Sequence, residues 1–90
     1  MNESEWKILY TKQGLKDKKT ACESGFRDKI NSLIKILKSN PFEPYPPYEK
    51  LVGDLSGAYS RRINREHRLV YAVYKDERVV KIISVWLHYD

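Results

Sequence analysis

Apolar residues recur at Phe26, Ile30, Leu33, Ile34 and Leu37. This i, i+4, i+7, i+8, i+11 spacing stacks one stripe along a helix and predicts a core-facing helix over 26–40. Pro41 ends it, because the residue before a proline is pushed out of helical geometry. Residues 13–25 predict a weaker helix in which Leu15 and Cys22 share a face, with Gly25 as its stop. Upstream, "EWKILYTK" alternates, with Trp6, Ile8 and Tyr10 on one side and Lys7, Leu9 and Thr11 on the other. That is a short strand at or near a sheet edge.

Residues 41–50 carry all four prolines and predict an ordered, stiff loop anchored by Phe42, Tyr45 and Tyr48 rather than regular structure. Three strands follow at 58–63, 67–74 and 79–87, and the short connections "NRE" and "KDER" make them antiparallel hairpins. The expected fold is α+β: two N-terminal helices on one face of a small, mainly antiparallel sheet of four to five strands. Residues 1–90 read as one domain, and the sheet face away from the helices stays open.

Alternation along 67–74 puts His67, Leu69, Tyr71 and Val73 on the helix side and Arg68, Val70, Ala72 and Tyr74 on the open side. A three-residue "NRE" loop pairs Ile63 with His67 and sets Arg62 directly across from Arg68. Like charges in that position repel. Two readings stand at this point: the two guanidinium groups fan apart into water, or they share an anion. His88 bears on the choice only if it shares the face of Arg68. That requires an odd-numbered loop or a bulge in the 74–79 hairpin, with Val79, Ile83, Val85 and Leu87 toward the helices and Ile82, Ser84, Trp86 and His88 on the open side. Glu49, Arg62, Arg68 and His88 would then converge, and a carboxylate, two cations and an imidazole suffice to cleave RNA through its own 2′-hydroxyl.

Charge adds to this picture. The 90 residues hold 17 Lys+Arg against 12 Asp+Glu, a net +5 that suits a polyanionic partner. Cys22 is the single cysteine, so the chain has no internal disulfide or Cys-based zinc site, and it reads as a packing residue. No apolar run approaches the roughly 20 residues of a membrane span. The N-terminus lacks a signal-peptide layout, so the expected location is cytoplasmic, with no membrane contact.

The segment "PPYEKL…GDLSGAYSRRINREHRLVYAVY…HY" resembles the Txe/YoeB toxins of bacterial type II toxin–antitoxin modules, within the RelE/ParE superfamily. The likeness is strongest over 41–75 and the terminal "HY". It implies a RelE-like fold and a ribosome-dependent mRNA endoribonuclease that acts on messenger RNA in the ribosomal A site, without cofactor or metal. It implies a cognate antitoxin of the YefM/Axe, Phd type and allows a homodimer. By motif match, Glu49 takes the general-base position, Arg62 and Arg68 the phosphate positions, His88 the general acid, and Tyr89 a substrate contact. Arg61, Arg65, Lys50 and Tyr59 are the surrounding candidates for RNA binding. Two positions depart from the family pattern. Val52 stands where a lysine is expected, with Lys50 the candidate replacement, and Ala58 precedes Tyr59 where relatives place an aromatic pair. The competing readings are a gyrase-type inhibitor of the same superfamily and a catalytically silent toxin kept as an antitoxin-binding corepressor.

Overall fold

A computed structural model describes residues 5–53 and 57–88, with the side chains of 86–88 outside the description. The chain runs β1 (Lys7–Tyr10), α1 (Lys12–Ala21), a single wide helical turn (Cys22–Phe26) and α2 (Arg27–Ser39). It continues through β2 (Tyr48–Lys50), β3 (Ala58–Arg62), β4 (His67–Tyr74) and β5 (Val79–His88). The five strands form one sheet in the order β1-β5-β4-β3-β2, in which β1 is parallel to β5 and the other neighbours are antiparallel. β1 lies at the edge, as its alternation predicts. β2 lies at the opposite edge. It was not expected, because the prolines that precede it obscure the three residues free to pair.

The α2 stripe packs as predicted. Ile30, Leu33 and Leu37 are buried, with Phe26 and Ile34 against the same cluster. Across from them lie Leu69 and Tyr71 of β4, Val80, Ile82 and Val85 of β5, and Ile63. The two helices are joined without a loop, and Gly25 at φ 96° turns the chain between them, a conformation that a side chain would strain.

α1 corrects one expectation, since Leu15 is exposed and the helix packs through Gly14 and Ala21 instead. A Cβ on Gly14 would stand 2.3 Å from the carbonyl oxygen of Ile82, so α1 rests on β5 as closely as a backbone allows. Thr11 caps the helix, its hydroxyl oxygen accepting from the Gly14 N–H at 2.8 Å.

β5 departs from its predicted faces. The 75–78 turn has four residues and closes on the pair Tyr74–Val79, with Arg78 at φ 55°. An even loop leaves Val80 and Ile82 facing the helices, where Val79 and Ile83 were expected. A bulge does follow, but not one that leaves His88 on the face of Arg68: the register shifts between Tyr71–Ile82 and Val70–Ser84, which returns Val85 to the core. A second shift then pairs Arg68 with Leu87 and His67 with His88. His88 therefore sits across from His67, not in register with Arg68, because two shifts of one residue cancel in parity. The polar groups exposed by the first bulge are taken up by α1 and its cap. The Thr11 N–H donates to the Ile82 carbonyl at 3.0 Å and its hydroxyl to the Ile83 carbonyl at 2.9 Å. The Asp17 carboxylate accepts from the Ser84 hydroxyl at 3.0 Å and the Val85 N–H at 3.4 Å.

Candidate active site

β3 and β4 pair as the three-residue loop requires, with Arg62 opposite Arg68 and the Ile63 N–H donating to the His67 carbonyl. Asn64 fixes this turn by accepting at its side-chain oxygen from the Glu66 and His67 N–H groups, both at 2.8 Å. On the other side of β3, β2 pairs Glu49 with Ser60. Residues paired across a sheet share a face, so Glu49, Ser60, Arg62 and Arg68 occupy one side. The Arg68 guanidinium donates to the Glu49 carboxylate at 2.7 Å and to the Ser60 hydroxyl at 3.3 Å. Arg68 is largely covered and Glu49 mostly exposed, so the carboxylate is reachable from solvent.

These groups line an open cleft of about 590 Å³, together with Lys29 from α2, Pro46 and Pro47 from the loop, and Ile63, Asn64 and Arg65 from the turn. Among the described residues its charged lining is Lys29, Arg62, Arg65 and Arg68 against Glu49. Arg62 is exposed and forms no ion pair among the described residues. A cleft so lined attracts an anion and keeps a carboxylate at the point where the anion would arrive.

The structure separates the sequence-predicted residues into two groups. Glu49, Arg62, Arg68 and Arg65 meet in the cleft. Arg61, Tyr59 and Lys50 do not, because they occupy alternate positions in the same two strands and register with the opposite face. Tyr59 is stacked on Tyr71 at 5.8 Å and packs edge-on against Phe42 and Tyr48. That makes it a core contact, not a stacking platform for bases. Lys50 pairs with Tyr59 and so registers with the face opposite Glu49. Arg61 is fully buried and cannot meet RNA. The backbone of His88 lies at the same end of the sheet, next to Leu87, the partner of Arg68. Tyr89 lies outside the described residues.

Ser60 and Lys29 were missed. Ser60 is buried and supports Arg68 from below, and its place across from Glu49 could be read only once β2 was known to exist. Lys29 lies on the polar side of the α2 stripe, among other charged residues that give no sign of which one overlooks the sheet.

The architecture is that of the RelE-like toxins, a two-helix layer on a five-stranded sheet with an arginine-rich cleft at one end. The sequence matches the family model for the YoeB-like toxin of bacterial type II toxin-antitoxin systems over residues 7–89. The chain belongs to that family, and its role is that of a type II toxin. It is 39% identical over 85 residues to toxin YoeB of Streptomyces coelicolor, covering 92% of this chain and 99% of that one. It is 52% identical over 52 residues to toxin YoeB of Escherichia coli K12, a match spanning 58% of this chain and 62% of that toxin. The YoeB/ParE toxin from Agrobacterium tumefaciens superposes with a TM-score of 0.83 at 34% identity, over 92% of this chain and 99% of that one. YoeB in the YoeB–YefM complex from Staphylococcus aureus does so with a TM-score of 0.78 at 39% identity, over 93% and 98%. The S. aureus toxin has also been solved as a dimer.

Proposed function

We propose that this toxin is a ribosome-dependent mRNA endoribonuclease that cleaves by attack of the substrate's own 2′-hydroxyl. The observation that carries the reading is the 2.7 Å contact between Arg68 and an exposed Glu49, with Arg62 across the strand pair in the same cleft. Glu49 takes the proton of the 2′-hydroxyl, and that oxygen attacks the adjacent phosphorus. Arg62 and Arg68 hold the phosphate and offset the charge that builds on it. Arg68, already bonded to both Glu49 and Ser60, aligns base and phosphate together. The departing 5′-oxygen needs a proton; because β5 pairs His88 with His67 and not with Arg68, that role passes from His88 to Tyr89 or to water. No metal is required, because the nucleophile belongs to RNA. Arg65 and Lys29 meet flanking phosphates.

The partners follow from the same reading. The S. aureus complex supports a YefM-like antitoxin of the Phd type, and the S. aureus dimer supports self-association. An acidic inhibitor segment would seek the cationic cleft. The working compartment is the cytoplasm, where translated mRNA is found. Among the described residues no helix is long and apolar enough to cross a membrane.

The chemistry is tested at the cut ends. Attack by the 2′-hydroxyl leaves a 2′,3′-cyclic phosphate or its 3′-phosphate on one fragment and a 5′-hydroxyl on the other. A 3′-hydroxyl paired with a 5′-phosphate would refute the assigned roles.

A further inference from the structure

Arg61 is the largest fully buried side chain among the described residues. Its guanidinium donates to the Pro46 carbonyl at 2.6 Å, the Pro41 and Glu43 carbonyls at 2.9 Å each, and the Tyr71 hydroxyl oxygen at 3.0 Å. The Tyr48 and Tyr71 rings flank it at 5.0 and 5.9 Å. No carboxylate pairs with it among the described residues. Among the described residues its charge is balanced by carbonyl and hydroxyl dipoles and by ring faces.

A buried cation held this way costs desolvation that an apolar side chain of equal volume would avoid. What the guanidinium adds is geometry. A planar fork with five donors serves three carbonyls and the Tyr71 hydroxyl at once, four acceptors spread across its width, whereas a lysine has three donors diverging from one atom. All three carbonyls belong to the 41–47 segment, which runs straight into β2. That strand is three residues long and hydrogen-bonded on one side only. So short an edge strand frays readily unless something fixes the chain entering it. Arg61 does this twice over, since its backbone pairs with Tyr48 while its side chain grips the incoming loop. The middle residue of β2 is Glu49.

We infer that Arg61 is a positioning residue: it ties the 41–47 loop to the sheet and so holds Glu49 against Arg68 without touching substrate. The inference rests on the endonuclease reading for its consequence, though not for its geometry. Arg61→Lys keeps the charge and the volume but loses the fork, and so leaves the β4–β5 core in place. The Glu49 side of the cleft loosens while the Arg68 side does not.

Two measurements test this. In amide hydrogen exchange, Arg61→Lys should speed exchange in residues 48–51 by about 10-fold or more while leaving Val80–Ile82 of β5 unchanged. Unchanged protection at 48–51, or an equal loss in β5, would overturn the inference, and this readout does not depend on any activity. In ribosome-dependent cleavage, Arg61→Lys should lower the rate of the unmodified toxin by about 10-fold, yet add no further loss to Glu49→Gln. Equal fold losses in both backgrounds would mean that Arg61 only supports the fold. A wild-type chain that cleaves no mRNA would defeat the endonuclease reading and leave the exchange result to decide the role of Arg61.

Discussion

Replacing Gly14 by alanine should destabilise the protein although alanine is the better helix former. In a helix interior the exchange alone would contribute about 1 kcal/mol of stability. At this site the new methyl meets the Ile82 carbonyl oxygen at 2.3 Å, whereas real contacts stay beyond 3.0 Å, so α1 must lift by about 0.7 Å. The obstacle is backbone and cannot rotate away. The same carbonyl accepts from the Thr11 N–H at 3.0 Å, and Ile83 accepts from the Thr11 hydroxyl at 2.9 Å. A lift of that size takes both past hydrogen-bond length, at roughly 1 kcal/mol each. Overpacking adds about 1–3 kcal/mol. The net expectation is a loss of about 2–4 kcal/mol, a fall in Tm on the order of 15 °C for a domain of this size. Thermal and urea unfolding followed by circular dichroism would measure it. A Gly14→Ala protein as stable as the parent, or more so, would refute the seating of α1 on the β5 bulge.

Other consequences follow from the same contacts. Asp17→Asn weakens the hold on the Ser84 hydroxyl and Val85 N–H and should cost about 1 kcal/mol, which urea titration would register as a lower midpoint at unchanged slope. Burial pushes the Tyr71 phenol above its ordinary value, and the nearby Arg61 guanidinium only partly opposes this. The folded protein therefore holds that proton more tightly than the unfolded chain does. Its contribution is complete below the unfolded value of about 10 and is lost as pH rises through the folded value. Unfolding titrations at alkaline pH should show that decline, and Tyr71→Phe should flatten it. Arg68→Ala should retain the fold and lose cleavage by about 10²–10³-fold, with the circular dichroism spectrum as the control for folding.

Much of this architecture was legible because local rules were enough. The α2 stripe has a clean helical period, and "NRE" can join β3 to β4 in only one register that satisfies Ile63 and His67, which fixed Arg62 opposite Arg68. β5 resisted because Val79, Val80, Ile82, Ile83 and Val85 are apolar on both parities. Alternation carried no signal there, and the first bulge is stabilised by Thr11 and Asp17 from the far end of the chain. Arg61 and Arg62 looked equivalent in "SRR". Strand alternation separates them, but that Arg61 would be sealed in depended on where the proline-rich loop came to rest. Lys50 and Tyr59 were misplaced for a related reason, since the pairing of β2 was hidden inside what read as loop. Among the described residues predicted for the site, Glu49, Arg62, Arg65 and Arg68 reached the cleft as a group.

The central claim is that the Glu49–Arg68 cleft cuts mRNA on the ribosome. It is tested most directly by mapping mRNA 5′ ends after adding the purified toxin, or its Arg68→Ala variant, to mRNA with and without ribosomes. New 5′ ends within the reading frame, dependent on both ribosomes and Arg68, are the expected result. An unchanged set of ends with ribosomes present, or equal cleavage by the Arg68→Ala variant, would contradict the claim. In the first case the chain would stand as a catalytically silent antitoxin-binding protein or an inhibitor of gyrase.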